Sequence, residues 1–166
     1  MNDWKIDETA CRALFDDLLS GVAYCRMIQE DGEPVDFRIL GVNAAFATQT
    51  GLAGAAGRKA SEIIPGLRES DGELLRICDR VAAGGRPERF EYYLAALRRW
   101  FSITVYGQRA GDFVATFDAI TERKQAEAAL RDSEERYRTL FEGSLDGLVA
   151  TDLQGDIQHA NPAFQA

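Results

Sequence analysis

The spacing of apolar residues predicts how the chain begins to fold. Over residues 7–20 the apolar positions recur at helical spacing and stop before Gly21, which predicts an amphipathic helix that Gly21 ends. These positions are Ala10, Cys11, Leu14, Leu18 and Leu19. Two β-type runs then follow, at 21–28 and 35–42, and the turn-forming stretch 29–34 separates them. This order predicts a β-hairpin.

Two helices are predicted after the hairpin. Asn43 can cap a short helix over 44–50, because an Asn side chain accepts hydrogen bonds from free N–H groups at a helix start. A glycine-rich segment at 51–66 is typical of a loop. The S-x-x-E spacing at 70–73 then predicts a capping box and a helix over 71–83. The apolar face of that helix comprises Leu74, Leu75, Ile77, Cys78 and Val81.

Three further β-type runs follow, at 89–96, 100–106 and 113–118. In the second run apolar and polar residues alternate, as they do in a strand with one buried face. Two strands, then helices, then three consecutive strands are typical of an α+β domain. We therefore expect a five-stranded antiparallel sheet with helices on one face, preceded by an N-terminal flanking helix at 1–20.

From Thr121 the sequence becomes strongly helical. A partly apolar stripe recurs at alternating steps of four and three residues, which is the spacing of a coiled coil. Its positions are Ala126, Leu130, Ser133, Tyr137, Leu140 and Ser144. The stripe predicts weak pairing with another helix, with Leu130, Tyr137 and Leu140 as the candidate dimer contacts. A helix that packs on its own domain would show the same stripe.

The chain repeats part of its own pattern. The segment Leu14-Phe15-Asp16 returns as Leu140-Phe141-Glu142, at an offset of 126 residues (140 − 14). The segment Asn43-Ala44-Ala45-Phe46 returns as Asn161-Pro162-Ala163-Phe164, at an offset of 118 residues (161 − 43). A helix, a hairpin and an Asn-capped helix therefore recur in the same order.

Composition and charge narrow the possible functions. The chain is 46% hydrophobic and 28% charged, which is typical of a soluble globular protein. It has no apolar run of the length of a membrane span and no signal-peptide pattern, so we expect a cytoplasmic segment without membrane insertion. A net charge of −8 disfavours binding to nucleic acid. Cys11, Cys25 and Cys78 lie far apart in sequence and are interpreted as buried thiols.

The repeated segment resembles the PAS domain family. The run Tyr137–Leu148, with the sequence YRTLFEGSLDGL, looks like the head of a PAS domain. The segments 152–157 and 161–164 resemble the first hairpin and helix start of that domain. Phe117 together with residues 120–124, ITERK, is similar to the F-x-D-I-T-E-R-K signature that closes a PAS domain and opens its output helix.

The resemblance implies a domain organisation and a role. It places a complete PAS domain at 21–120, a helical signalling linker at 121–145 and a truncated second PAS domain at 146–166. PAS domains sense small molecules, redox cofactors or light, dimerise through flanking helices and regulate attached effectors. We therefore expect a sensory homodimer that controls a C-terminal effector, such as a histidine kinase or diguanylate cyclase. The alternative is a ligand-free structural spacer and protein-interaction module.

One position departs from the PAS signature. Ala119 stands where the family usually has Asp, and Asp118 lies one residue earlier. In the family that Asp often ties the last strand to the output helix. The resemblance thus implies that Asp118, Ile120, Thr121 and Arg123 couple the domain to its helix, either with Asp118 as a substitute or through other contacts.

The candidate ligand site is a pocket between the sheet and the helices. Its candidate lining residues are Tyr24, Phe37, Phe46, Ile77, Cys78, Phe90, Tyr92, Phe101, Ile103 and Val114. Such residues also fill ordinary protein cores. A flavin photosensor of this family needs a reactive Cys where Ala44 stands, and a haem needs an axial His, whereas the only His is His159. We therefore expect neither cofactor, and no catalytic or metal site.

Overall fold

A computed structural model describes residues 7–165, so that the predictions for residues 1–6 and for Ala166 lie outside the described range. The chain divides between Thr121 and Glu122 into two compact units. Each unit is described by itself below. No helix within the described range is long and apolar enough to cross a lipid bilayer.

A five-stranded antiparallel sheet forms the framework of the first unit. Its strands are β1 (Gly21–Glu30), β2 (Glu33–Val42), β3 (Glu88–Leu94), β4 (Arg99–Gly107) and β5 (Asp112–Ala119). Their order across the sheet is β2-β1-β5-β4-β3, and every neighbouring pair is antiparallel. The first and last strands in sequence, β1 and β5, are therefore neighbours. The predicted α+β class, with five antiparallel strands, is confirmed.

Five helices accompany this sheet. They are α1 (Glu8–Asp17), α2 (Ala44–Thr50), α3 (Ala60–Ile63), α4 (Leu67–Ser70) and α5 (Gly72–Ala82). Helix α1 begins where the Asp7 carboxylate accepts a hydrogen bond from the Ala10 N–H at 2.7 Å. Helix α2 begins where Asn43 Oδ1 accepts from the Phe46 N–H at 3.1 Å, so the predicted Asn43 cap is confirmed.

The core of the first unit lies between the helices and one face of the sheet. Because strand side chains alternate between faces, β1 buries Ala23, Cys25 and Met27 in this core. Helix α5 contributes its predicted apolar face except for Ile77, which is only half-buried. Each large side chain buried in this way stabilises the fold by roughly 1.5–3 kcal/mol relative to an exposed position.

The predicted ends of the first helix and of the third strand are wrong. The first helix, predicted over 7–20, already ends at Asp17, whereas Gly21 begins β1 as the β-type run 21–28 predicts. The strand predicted over 89–96 ends at Leu94, because residues 95–97 form a 3-10 turn and Arg98 follows with a φ of 52°. A left-handed residue of this kind cannot continue a strand.

The predictions around α5 also need correction. The capping box at 70–73 does not form, because Ser70 belongs to α4 and Asp71 is the N-cap of α5. The Asp71 side chain makes no capping hydrogen bond. The segment 51–66, predicted to be a loop, contains the short helix α3.

The second unit contains one long helix and a hairpin. Its elements are α6 (Thr121–Gly143), which starts at the last residue of the first unit, then β6 (Val149–Thr151), β7 (Ile157–Ala160) and α7 (Pro162–Gln165). Strands β6 and β7 pair antiparallel. In the turn between them, Asp152 Oδ1 accepts from the N–H groups of Gln154 and Asp156 at 3.0 and 2.9 Å. This is an Asx-type turn, in which the side chain replaces missing backbone partners.

Candidate functional site

A small cavity lies in the core of the first unit, between the sheet and the helices. Its volume is about 30 Å³, and only nonpolar surface faces it. The lining residues are Ala23, Phe37, Ile39, Phe46, Thr50, Leu52, Ile64, Leu74, Cys78, Leu94, Leu97, Phe101, Ile103, Phe113, Ala115 and Phe117. A preformed site for an organic ligand usually encloses about 300 Å³ or more, so this cavity is an order of magnitude smaller.

Aromatic rings occupy much of the space around this cavity. Phe117 packs edge-to-face with Phe46 and with Phe101, with ring centroids 5.8 and 6.4 Å apart. Phe37 and Phe113 make a third edge-to-face pair, with centroids 5.5 Å apart. Such pairs stabilise a core by about 0.5–1.5 kcal/mol beyond the area they bury. The rings therefore fill the region where a ligand pocket was predicted.

Half of the ten candidate pocket residues line the cavity. These five are Phe37, Phe46, Cys78, Phe101 and Ile103. The prediction is wrong for Val114 and Tyr24, which are half-buried cross-strand partners absent from this core. Val114 alternates with Phe113 and Ala115, which do line the cavity, and alternate residues of a strand face opposite sides. Because every second residue of a strand faces the same side, counting from Phe113 in steps of two predicts Ala115 and Phe117 as the lining residues.

The other three candidates lie beside the cavity without lining it. Phe90 and Tyr92 are partly buried and pack against the core, whereas Ile77 is half-buried on α5 next to Cys78. Tyr92 lies beside Asp71, a carboxylate that is only 2% exposed and whose Oδ2 has no hydrogen-bond partner. Burial raises the pKa of Asp71, and the nearby Tyr92 hydroxyl partly opposes this. Burial also raises the pKa of Tyr92 to about 12.

A charged cluster joins β1 to β5. Arg26 donates to both carboxylate oxygens of Asp112, at 2.6 and 2.9 Å, and the Tyr24 hydroxyl donates to Asp112 Oδ2 at 2.8 Å. These two donors, Arg26 first, lower the pKa of Asp112 to about 2. The bond to Asp112 in turn raises the pKa of Tyr24. The Tyr24 hydroxyl therefore helps to hold β1 and β5 together.

The incoming and outgoing ends of the first unit meet beside α2. The Ser20 hydroxyl donates to Asp118 Oδ1 at 2.6 Å, and this bond joins residues that are 98 positions apart. Gln49 of α2 donates from Nε2 to the Leu19 carbonyl at 3.1 Å and accepts at Oε1 from the Ala119 N–H at 2.9 Å. One side chain thus contacts both ends of the domain.

The predicted coupling residues take different roles at this junction. Asp118 Oδ1 accepts a hydrogen bond from the Ser20 hydroxyl. Ile120 donates from its N–H to the Trp100 carbonyl at 2.9 Å, and Thr121 Oγ1 accepts from the Trp100 N–H at 3.0 Å. Arg123 pairs within its own helix with Glu127, at 2.7 Å. Ile120 and Thr121 are thus both hydrogen-bonded to Trp100 of β4.

Helix α6 presents its stripe to solvent. Leu130, Tyr137 and Leu140 are 62, 55 and 74% exposed, and no described residue of α6 is fully buried. Exposed apolar side chains of this size at regular heptad spacing are typical of a helix that has a partner elsewhere.

The same hydrogen-bond pattern surrounds two asparagines, one in each unit. Asn43 Oδ1 accepts from the N–H groups of Val22 and Phe46, at 2.8 and 3.1 Å, and its Nδ2 donates to the Ser20 carbonyl at 3.0 Å. Asn161 Oδ1 accepts from the N–H groups of Leu148 and Phe164, at 2.7 and 3.0 Å, and its Nδ2 donates to the Asp146 carbonyl at 2.9 Å. The internal repeat seen in the sequence therefore extends to individual hydrogen bonds.

The cysteines differ in their surroundings. Cys25 and Cys78 are buried, whereas Cys11 is exposed, so the interpretation of Cys11 as a buried thiol is wrong. The reason is that α1 buries none of its residues. No group of three or more metal-binding side chains lies together among residues 7–165.

Comparison with protein families identifies this fold. The family described as PAS domain matches residues 12–82 and 135–166, which together make up more than half of the chain. The chain therefore belongs to the PAS domain family, whose members are typically non-catalytic sensory modules of signalling proteins. No curated protein matches the chain significantly.

Several solved structures are similar to this chain. An RNA-binding light-oxygen-voltage receptor matches 81% of this chain and 40% of its own length, at 17% identity and a TM-score of 0.52. A domain of a sensory box sensor histidine kinase/response regulator from Geobacter sulfurreducens matches 66% of this chain and 91% of its own length, at 17% identity and a TM-score of 0.47. A domain of an HTR-like protein from Haloarcula marismortui matches 63% of this chain and all of its own length, at 19% identity and a TM-score of 0.45.

Proposed function

We propose that this chain is a cytoplasmic relay module that pairs with a second copy of itself along α6 and controls an effector domain of its parent protein. A histidine kinase or a diguanylate cyclase is the kind of effector we infer. The exposed stripe of Leu130, Tyr137 and Leu140 is the observation that supports this proposal most directly. We further propose that residues 146–166 begin a second PAS domain, because Asn161 repeats the bonds of Asn43.

A second copy of α6 is the partner that fits this stripe best. An identical helix presents the same apolar positions at the same heptad spacing, so each side chain can pack between those of its partner. Ser133 and Ser144 interrupt the stripe, which keeps the pairing weak. A weak seam suits a helix pair that has to change its packing during signalling.

The small size of the cavity favours transmission of movement over binding of a ligand. A cavity of about 30 Å³ with only nonpolar walls has room for a few atoms and none for a flavin or a haem. We therefore propose that the module carries no cofactor and transmits movement between its neighbours. Sensing of a small nonpolar molecule is the second candidate, and the wholly nonpolar lining supports it, but the core would have to open for anything larger.

Native mass spectrometry of the purified chain tests both candidates. We expect a dimer without additional mass. The double variant Leu130→Glu/Leu140→Glu should be monomeric, because it places charges in the stripe. Ala128→Glu, which adds one negative charge at an exposed position of α6 off the stripe, should remain dimeric. A monomeric wild-type chain would overturn the pairing, and a bound mass that is lost on denaturation would favour the sensing candidate.

A further inference from the structure

Two independent hydrogen-bonded bridges connect the chain entering the first unit to the chain leaving it. The first joins Ser20, immediately before β1, to Asp118, near the end of β5, at 2.6 Å. Both side chains are partly buried, so water competes less for this bond than for a fully exposed one.

The second bridge runs through the single side chain of Gln49. Its amide has one donor group and one acceptor oxygen, and the two are used on opposite ends of the unit, Leu19 and Ala119. Both bonds can persist only while these two ends keep their spacing. A displacement of Leu19 must therefore either move Ala119 or break one of the two bonds.

The outgoing end passes directly into α6. Ala119 is followed by Ile120, held by the Trp100 carbonyl, and by Thr121, which is the first residue of α6. Only two residues therefore separate the Gln49 contact from the second residue of the long helix. The incoming end is equally close to α1, which ends at Asp17.

We infer that Gln49, together with the Ser20–Asp118 pair, forms the positioning device that couples α1 to α6. Movement of α1 then reaches the first turn of α6 through the adjacent ends of β1 and β5, without a change in the filled core. This inference deepens the proposed relay function and rests on it. It also explains how this PAS domain can couple to its helix with Ala119 where the family usually has Asp, because Asp118 and Gln49 make the coupling contacts.

Three variants separate the two halves of the device. Gln49→Glu keeps an acceptor for the Ala119 N–H but loses the donor to Leu19. Asp118→Ala removes the acceptor for Ser20 at the outgoing end, and Ser20→Ala removes only the donor hydroxyl. Thr48→Ala is the matched control, because Thr48 is the exposed neighbour of Gln49 on α2.

The effect of each variant is measured at the end of the first unit that the substitution does not change. Amide hydrogen exchange of residues 125–127, whose N–H groups bond to the first turn of α6, reports on the outgoing end. A spin label on Cys11, which is exposed on α1 while Cys25 and Cys78 are buried, reports on the incoming end. A hydrogen bond of this kind contributes about 0.5–1.5 kcal/mol, so exchange should rise by roughly two- to tenfold.

We expect Gln49→Glu and Ser20→Ala to accelerate exchange at 125–127, and Asp118→Ala to increase the mobility of the Cys11 label. Thr48→Ala should change neither. Variants that affect only their own end would overturn the coupling. Neither readout requires a dimer, so the two proposals can fail separately. If the chain is monomeric and the two ends are still coupled, the pairing along α6 is wrong and the device stands. A dimer without coupling would support the pairing along α6 and overturn the device.

Discussion

Asn43 Oδ1 lies 2.8 Å from the backbone nitrogen of Val22, so that one side chain fixes the start of α2 to the start of β1. The same oxygen caps α2, and the amide nitrogen donates to the Phe15, Leu18 and Ser20 carbonyls at 3.1, 3.4 and 3.0 Å. Asn43 is only 3% exposed, so water cannot replace these partners if the side chain is removed.

Asn43→Ala should therefore destabilise the first unit by about 2–4 kcal/mol, because several buried backbone groups lose their partner together. Asn161→Ala is the matched control in the second unit. We expect it to leave the unfolding of the first unit unchanged. Urea denaturation measures the difference, followed by the fluorescence of Trp100 on β4 in chains that also carry Trp4→Phe. Equal losses in the two variants would contradict the independent roles of the asparagines.

Gly21→Ala should also destabilise the first unit. A Cβ at Gly21 would lie 3.0 Å from Phe46 Cα, and backbone at that distance cannot move without displacing α2. We expect a loss of about 1–3 kcal/mol, as for other overpacked sites. Gly41→Ala is the control, because a Cβ there has no atom within 4 Å and the backbone needs no positive φ. It should leave the thermal midpoint unchanged or raise it slightly.

The Asp112 cluster predicts a loss of stability in acid. The pKa of Asp112 in the folded chain is about 2, below the roughly 3.9 of an unfolded Asp. The carboxylate therefore stabilises the fold above a pH of about 4 and loses this effect as the pH falls towards 2. Asp112→Asn should be less stable than the wild type at neutral pH. The gap between their urea midpoints should narrow in acid, and a constant gap would contradict the role of the charge.

The three cysteines should react in two distinct groups. Burial raises the pKa of Cys78 to about 12 and also raises that of Cys25, so neither forms a thiolate at neutral pH. A thiol reagent should modify one cysteine per native chain quickly and the other two only after unfolding. Cys11→Ser should abolish the fast reaction. Fast modification of Cys25 or Cys78 would mean that the core opens in the native state, which would favour sensing of a ligand.

Local features of the fold could be predicted from the sequence, because a few adjacent residues determine them. The Asn43 cap depends on residues 43–46 alone, and the class of the sheet follows from the order of apolar runs. The cavity lining in β5 was harder to predict, because Phe113, Val114 and Ala115 are all nonpolar and the alternation is hidden. A one-residue error then exchanges the two faces of the strand.

Contacts between distant residues could not be predicted. Nothing near Ser20 or Asp118 indicates that they meet, because their distance depends on β1 and β5 being neighbours in the sheet. The size of the cavity depends on how the rings of Phe46, Phe101 and Phe117 pack, which the residue types alone do not determine. These features follow from the complete tertiary packing.

The adjacency of β1 and β5 also has a meaning for the ancestry of such proteins. A domain whose two ends lie side by side can be copied in tandem, or spliced into another chain, without stretching the segments on either side. Gene duplication then adds a unit while each existing unit keeps its internal geometry. The second asparagine motif in this chain is what one such duplication would leave behind.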